Sequence, residues 1–246
     1  MARLSYRPGV RRYVVACVLM GAAPGAAADE VDLTLEVGLR ARALGAPVAL
    51  APDAWLDLSP RWRVGIIHSN ASVDQIAAGG SLCVRTDDLE CTHVYRGSGI
   101  DALWRWTRYV APRARLLLRD VDPVKPAITL GALASWRRGR WIVGGDPYLR
   151  LGVANRDQGN RAAIVLPAWV AADVGRARLA FVTGWDGELA ILGDGWHIPI
   201  AASATVRTTR AIDLSLTFGW PSLLGPQNDF RNRALFLAVA FRPTPR

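Results

Sequence analysis

Apolar and polar residues alternate along most of this chain. In "VDLTLEVGLRARA", residues 31 to 43, Val31, Leu33, Leu35, Val37 and Leu39 share one parity, while Asp32, Thr34, Glu36, Arg40 and Arg42 share the other. A period of two puts successive side chains on opposite faces of a strand, so this segment predicts a strand with one oily and one charged face. The same pattern returns at 47 to 58, 61 to 68, 98 to 108, 113 to 121, 127 to 136, 140 to 153, 161 to 172, 176 to 187, 195 to 207, 211 to 219 and 233 to 242, which makes twelve strands. The stretch 161 to 172, "RAAIVLPAWVAA", is apolar on both parities, so its facing stays open. No window carries a sustained helical stripe.

The links between these strands alternate in length. "SPR", "YVAPR", "RRG", "DVG" and "TTR" are tight, whereas the segment 69 to 97, "NRDQGN", "GELAILGD" and "WPSLLGPQNDFRN" are longer. "LGAP" and "VDPVKP" are short exceptions on the long side. Tight turns at one end and loops at the other predict an all-β, up-and-down antiparallel barrel of about twelve strands.

Alternation alone fits both a soluble barrel with its oily face inside and a transmembrane barrel with that face outside. Barrels of about eight strands fill their interiors with side chains, and larger ones open a lumen, so a soluble core would be hard to fill here. The tryptophans add to this. Trp62, Trp104, Trp106, Trp136, Trp141 and Trp169 lie near the tight links, and Trp185, Trp196 and Trp220 near the longer loops. Two belts at strand ends are what the two interfaces of a bilayer select. The charged parity then faces the lumen. Asp32, Glu36, Arg40, Asp53, Asp57, Asp101 and Arg105 are its members in the first half of the chain, followed by Arg115, Arg119, Asp146, Arg150, Arg178, Asp186 and Asp213.

Residues 1 to 28 change the frame. Arg3, Arg7, Arg11 and Arg12 precede an apolar run that ends in Ala26, Ala27 and Ala28, the pattern of a signal peptide cleaved before Asp29. The barrel is then a single domain, 29 to 246. Losing the leader's four arginines lowers the formal charge from +9 to +5, a modest basic excess. It also removes Cys17, leaving Cys83 and Cys91 in "SLCVRTDDLECTH". Export to an oxidising compartment predicts a disulfide between them.

The leader, the even strand count, the alternating links, the aromatic belts and the terminal strand "RALFLAVAFRP" together resemble Gram-negative outer-membrane β-barrel proteins. The resemblance implies a monomer in the outer membrane with both termini in the periplasm, surrounded by lipid and delivered by the barrel-assembly machinery. Members of that group typically end on an aromatic residue; Phe241 matches, and "RPTPR" after it is a departure.

Candidate chemistry is sparse. "HSNAS" resembles the H-x-S-N element of outer-membrane lipid A deacylases and phospholipases, which would make His68, with Ser69 or Ser72, a base and nucleophile. Ser69 directly follows His68, however, so on a regular strand the two point oppositely. Three histidines without paired spacing predict no metal site, and no motif calls for a cofactor. Arg61, Arg113, Arg137, Arg138, Arg140, Arg176 and Arg210 fall in the tight links without interleaved stacking aromatics, which argues against nucleic acid and for turns near anionic headgroups. The leading expectation is a passive pore or facilitator for small polar solutes. A lipid hydrolase using His68 is the second reading, and a barrel with a packed lumen serving envelope structure or surface interaction is the third.

Overall fold

The computed structural model describes residues 30–40, 43–68, 82–85, 97–121, 123–231 and 233–242. It is a closed antiparallel barrel of twelve staves. Six staves come first: β1 (Glu30–Arg40), β2 (Ala43–Asp57), β3 (Trp62–Ile67), β5 (Ser98–Trp104), β6 (Val110–Val121) and β7 (Val124–Arg138). Three further staves are each broken once, as β8 (Trp141–Gly145) with β9 (Tyr148–Gly152), β10 (Ala163–Val165) with β11 (Ala168–Val174), and β12 (Ala177–Thr183) with β13 (Asp186–Glu188). The last three are β14 (Trp196–Arg207), β15 (Ile212–Leu224) and β16 (Arg233–Phe241). β16 pairs with β1 from Val31 opposite Phe241 to Leu39 opposite Arg233, which closes the ring.

The barrel is apolar outside and polar inside. On the outer face Ile100 and Leu116 are each 57% exposed, and Leu130, Leu179 and Leu216 are also exposed. On the inner face Asp101, Arg115, Thr129 and Arg150 are buried. So broad an oily surface is incompatible with water, whereas strands with every ladder closed on itself are what a bilayer tolerates. The chain is a transmembrane β-barrel.

The three broken staves lie side by side, and the breaks fall at Asp146–Pro147, Leu166–Pro167 and Gly184–Trp185. Proline cannot donate to a ladder, so at Pro147 and Pro167 the pairing steps aside without opening, and Gly184–Trp185 follows its neighbour Leu166–Pro167. The gap is bridged by Ala132 N to the Pro147 carbonyl at 3.1 Å, Asp146 N to the Pro167 carbonyl at 3.2 Å, and Leu166 N to the Trp185 carbonyl at 2.7 Å. Gly139 and Gly175 supply the positive φ, 59° and 62°, of the tight turns after β7 and β11.

Three links differ from the sequence expectation; in one, β6 runs to Val121 and β7 starts at Val124, so most of "VDPVKP" lies in strands, with Pro126 opposite Leu118. β1 and β2 pair as far as Leu39 with Leu44 and Arg40 with Ala43, so "LGAP" runs within β2 opposite a register shift and is not the link. The turn between β5 and β6 comes at 105–109 and not at "YVAPR". Thr107 Oγ1 caps it by accepting from the backbone nitrogens of Tyr109 and Val110. Pro112 therefore sits within β6, one residue beyond the last pair with β5, Leu103 opposite Arg113. Within the long segment after β3, a short strand β4 (Leu82–Arg85) returns to pair with β2.

Candidate functional site

The lumen has two unlike walls. From β2 to β10 its inner face carries large charged and aromatic groups packed together. β6 pairs with β5 from Arg113 to Leu118 and with β7 from Val110 to Val121, and Arg113, Arg115 and Arg119, spaced by even numbers, all point inward. Asp101 lies opposite Arg115 on β5, and the break at Pro147 turns Asp146 toward the same place. Arg113 grips Asp101 with two parallel bonds, Nε to Oδ1 and Nη2 to Oδ2, both 2.8 Å, and reaches Asp146 with Nη1 at 2.6 Å. Arg115 also donates to Asp146 and stands 4.9 Å from the ring centre of Tyr148. The Trp55 indole nitrogen donates to Asp101 at 3.3 Å, and the Arg63 guanidinium lies 5.2 Å from the Trp55 ring centre.

Such forked, charge-assisted contacts fix geometry as much as they attract. Small apolar clusters fill between them: Ile67, Leu117 and Ala127 against Trp55, and Tyr148 with Ala163 and Val165. Two tryptophans lie over glycines on the next strand. A Cβ at Gly65 would meet the Trp55 ring at 2.2 Å, and one at Gly144 would meet Trp169 at 2.4 Å. Higher on this wall, Arg119 Nη1 reaches Asn160 Oδ1 at 3.4 Å, and Arg150 Nε reaches the Arg161 carbonyl at 3.4 Å.

The opposite wall, β12 and β14 to β16, is lined mostly by small groups between its charged tight-turn end and Phe236, which faces inward opposite Thr217. Ala201, Ser203, Thr205, Ser215, Thr217 and Ala238 face inward and are only half-buried. Their hydroxyls pair across strands, Thr205 with Ser215 at 2.9 Å and Thr217 with Ser203 at 2.8 Å. Short side chains leave space, and a hollow of about 550 Å³ opens here at the tight-turn end. Nearer the long loops, Gly219 and Ala234 are buried, and the Phe236 ring stands on the same face.

Ions ring the tight-turn mouth. Asp173 accepts from Arg178 Nε at 2.8 Å and from Arg137. Asp213 accepts from Arg242 Nη1 at 2.7 Å and from Arg207 Nε at 3.4 Å. Arg242 Nε also donates to Glu30 at 3.0 Å, and Arg63 donates to Glu30. Arg105 bonds Asp57 at 2.7 Å.

Of the residues expected to line the lumen, Asp32, Asp53, Asp101, Arg115, Arg119, Asp146, Arg150, Arg178, Asp186 and Asp213 face inward, with Asp57 and Arg105 at the rim. Asp32 stands across from Asp53, and its Oδ1 is buried without a hydrogen-bond partner among the described residues. The backbones of Glu36 and Arg40 lie in β1, and their side chains are outside the described residues. Sequence reasoning missed Trp55, Arg63 and Tyr148. Trp55 shares the parity of Asp53 and Asp57, which was the available signal. Arg113, expected in a turn, belongs to the lumen network because the turn lies earlier in the chain.

Among the tryptophans, Trp62, Trp104, Trp106, Trp136 and Trp141 lie at the tight-turn end, and Trp62, Trp104 and Trp106 stack in series with ring centres 6.2 and 6.5 Å apart. Trp185, Trp196 and Trp220 lie toward the long loops, with Trp220 edge-on to Phe218 at 5.2 Å. Trp169 departs from the expected belt: the register of β11 with β8 puts it over Gly144, on the inner wall.

His68, just past β3, continues the parity of the outward-facing Trp62, Val64 and Ile66. Its Nδ1 donates to the Pro52 carbonyl at 2.7 Å, and its backbone nitrogen donates to Asp53 Oδ1. Ser69 and Ser72 lie outside the described residues, as does Cys91; Cys83 lies in β4 with its side chain not described. His197 Nε2 stands 3.9 Å from Asp186 on the inner wall. Among the described residues, no group of three or more His, Cys, Asp or Glu is placed to hold a metal ion.

No protein-family model matches the chain, and no curated protein matches it. Solved structures do. The KdgM porin in complex with disordered oligogalacturonate superposes with a TM-score of 0.56 at 6% identity, covering 87% of this chain and 99% of that one. Outer membrane phospholipase A from Escherichia coli gives 0.47 at 10% identity, over 94% and 97% of the two chains. A bacterial polysaccharide outer membrane secretin gives 0.43 at 12% identity, over 82% and 72%. At such identities the likeness is one of fold.

Proposed function

We propose that this chain is an outer-membrane pore or facilitator that admits small polar solutes. The observation that carries the proposal is the hollow of about 550 Å³ between the small-residue wall and the ion ring, inside a barrel whose charged faces are turned inward. A barrel serving only as a scaffold has no need to leave one inner wall built of serine, threonine and alanine, because twelve staves with larger side chains there would close it. The Phe236 ring on the inner face, beside buried Gly219 and Ala234, favours a selective, low-conductance path over a wide one. The KdgM porin, which shares the fold, supports the reading. Residues 1 to 28 serve in it as the export signal.

Reconstitution into a planar lipid bilayer tests the proposal. Folded, heat-modifiable protein should give discrete current steps in potassium chloride. A folded preparation that gives none would return the barrel to a structural or surface-interaction role.

A further inference from the structure

The ion ring has a composition that points to what the hollow receives. Five guanidinium groups border it, from Arg137, Arg176, Arg178, Arg207 and Arg242, against the carboxylates of Asp32, Asp173 and Asp213. Two of those carboxylates are each held between two arginines, Asp173 by Arg137 and Arg178, and Asp213 by Arg207 and Arg242. Each such trio carries one more cation than anion, and the Glu30 carboxylate that Arg242 also holds is matched in turn by Arg63. Arg176, on the turn after β11, adds another cation at the rim.

The arginines are also only partly used. Arg178 and Arg207 each spend the Nε atom on an aspartate, and among the described residues their terminal Nη groups donate to nothing. Their side chains are 48% and 66% exposed, so those donors meet solvent in the hollow. A guanidinium fork with its Nη atoms free is suited to oxygen pairs of a carboxylate or phosphate. Beside it on the same wall, the Thr205 and Ser215 hydroxyls and the Ala238 methyl offer a neutral, hydrogen-bonding surface for the uncharged body of such a solute.

We propose that the tight-turn chamber is a binding site for solutes bearing two or more carboxylate or phosphate groups, with Arg178 and Arg207 as the principal contacts, and that it makes the pore prefer anions. The proposal rests on the pore reading for its transport consequence, and on the chamber alone for binding. Charge of one sign within low-dielectric walls concentrates ions of the other sign. The aspartates hold the forks in place and prevent the arginines from repelling one another out of the chamber.

The test uses the full mature barrel in a planar bilayer under a salt gradient, with pyrophosphate and citrate as probes. The reversal potential should show chloride preferred over potassium, and either probe added to the tight-turn side should block chloride current. The double variant Arg178→Gln/Arg207→Gln should need roughly tenfold more probe for the same block and lose most of the preference, as expected when a charged contact worth about 1.4 kcal/mol is removed. Arg176→Gln, an exposed turn position, provides a second variant with a smaller shift in the same direction. A channel that prefers potassium, or one blocked equally in the double variant, overturns the proposal. If no channel forms, the pore reading fails by itself, and titration calorimetry of the detergent-folded barrel with pyrophosphate decides the site. Heat that disappears in the double variant supports it, and no heat with wild type overturns it.

Discussion

β6 and β15 present nearly the same outer face and very different inner ones. Outside, β6 shows Leu116 and Leu118, and β15 shows Leu214, Leu216 and Phe218. Inside, β6 carries Arg113, Arg115, Leu117 and Arg119, whereas β15 carries Asp213, Ser215, Thr217 and Gly219. Lipid imposes one chemistry all the way round, so the outer faces converge. The inner faces answer to no common solvent, and their side-chain volume decides where the barrel is filled and where it is hollow. Close packing and open space are thereby assigned to opposite sides of one ring of strands.

The sharpest way to break this contrast is to remove charge from the filled wall. Asp146→Ala would leave Arg113 and Arg115 without one of their shared acceptors, and a buried ionic group losing its partner costs about 3–5 kcal/mol. Denaturant unfolding in detergent micelles should show a loss of that order. Leu116→Arg on β6 and Leu216→Arg on β15 probe the outer faces, where a midplane arginine costs about 2–4 kcal/mol. The two should lose similar stability, and a difference of several kcal/mol between them would refute a uniform lipid-facing band. Ser215→Trp fills the open wall. It should change stability by less than about 1 kcal/mol, because the hollow has room, while reducing single-channel conductance severalfold. A conductance equal to wild type would move the path away from this wall.

Much of this architecture was legible in the sequence, because a period of two survives in every stave but the one over 161 to 172, and the inward charges keep to one parity. The other staves fall where the alternation runs. Proline was the main source of misplacement. Pro47 and Pro112 read as turns, yet both lie in strands, Pro47 where the β1–β2 register shifts and Pro112 just past the end of the β5 ladder, where a missing donor costs least. Trp169 was misassigned for another reason. Its segment is apolar on both parities, so only the register with β8 and the bare backbone of Gly144 reveal which face it takes. The Arg113 contacts were out of reach for the same cause, since a turn set four residues late removed it from the lumen. Nothing in the alternation distinguishes the filled wall from the hollow one until strand neighbours are known, because volume summed around a ring is a property of topology.

The pairing of β1 with β16 has a consequence for how the barrel comes into being. The ion pair of Glu30 with Arg242 joins groups 212 residues apart in sequence, and tying ends so distant costs about 5 kcal/mol in chain entropy on the logarithmic scale of loop closure. Contacts of that separation form slowly and late. Until they do, the growing sheet has two raw edges, each a template for the wrong partner. Arg242 then acts as a latch, bringing Glu30 from the first strand and Asp213 from the fifteenth under one guanidinium when the last strand docks. Shortening the chain by that strand would yield a sticky open sheet, not a smaller barrel.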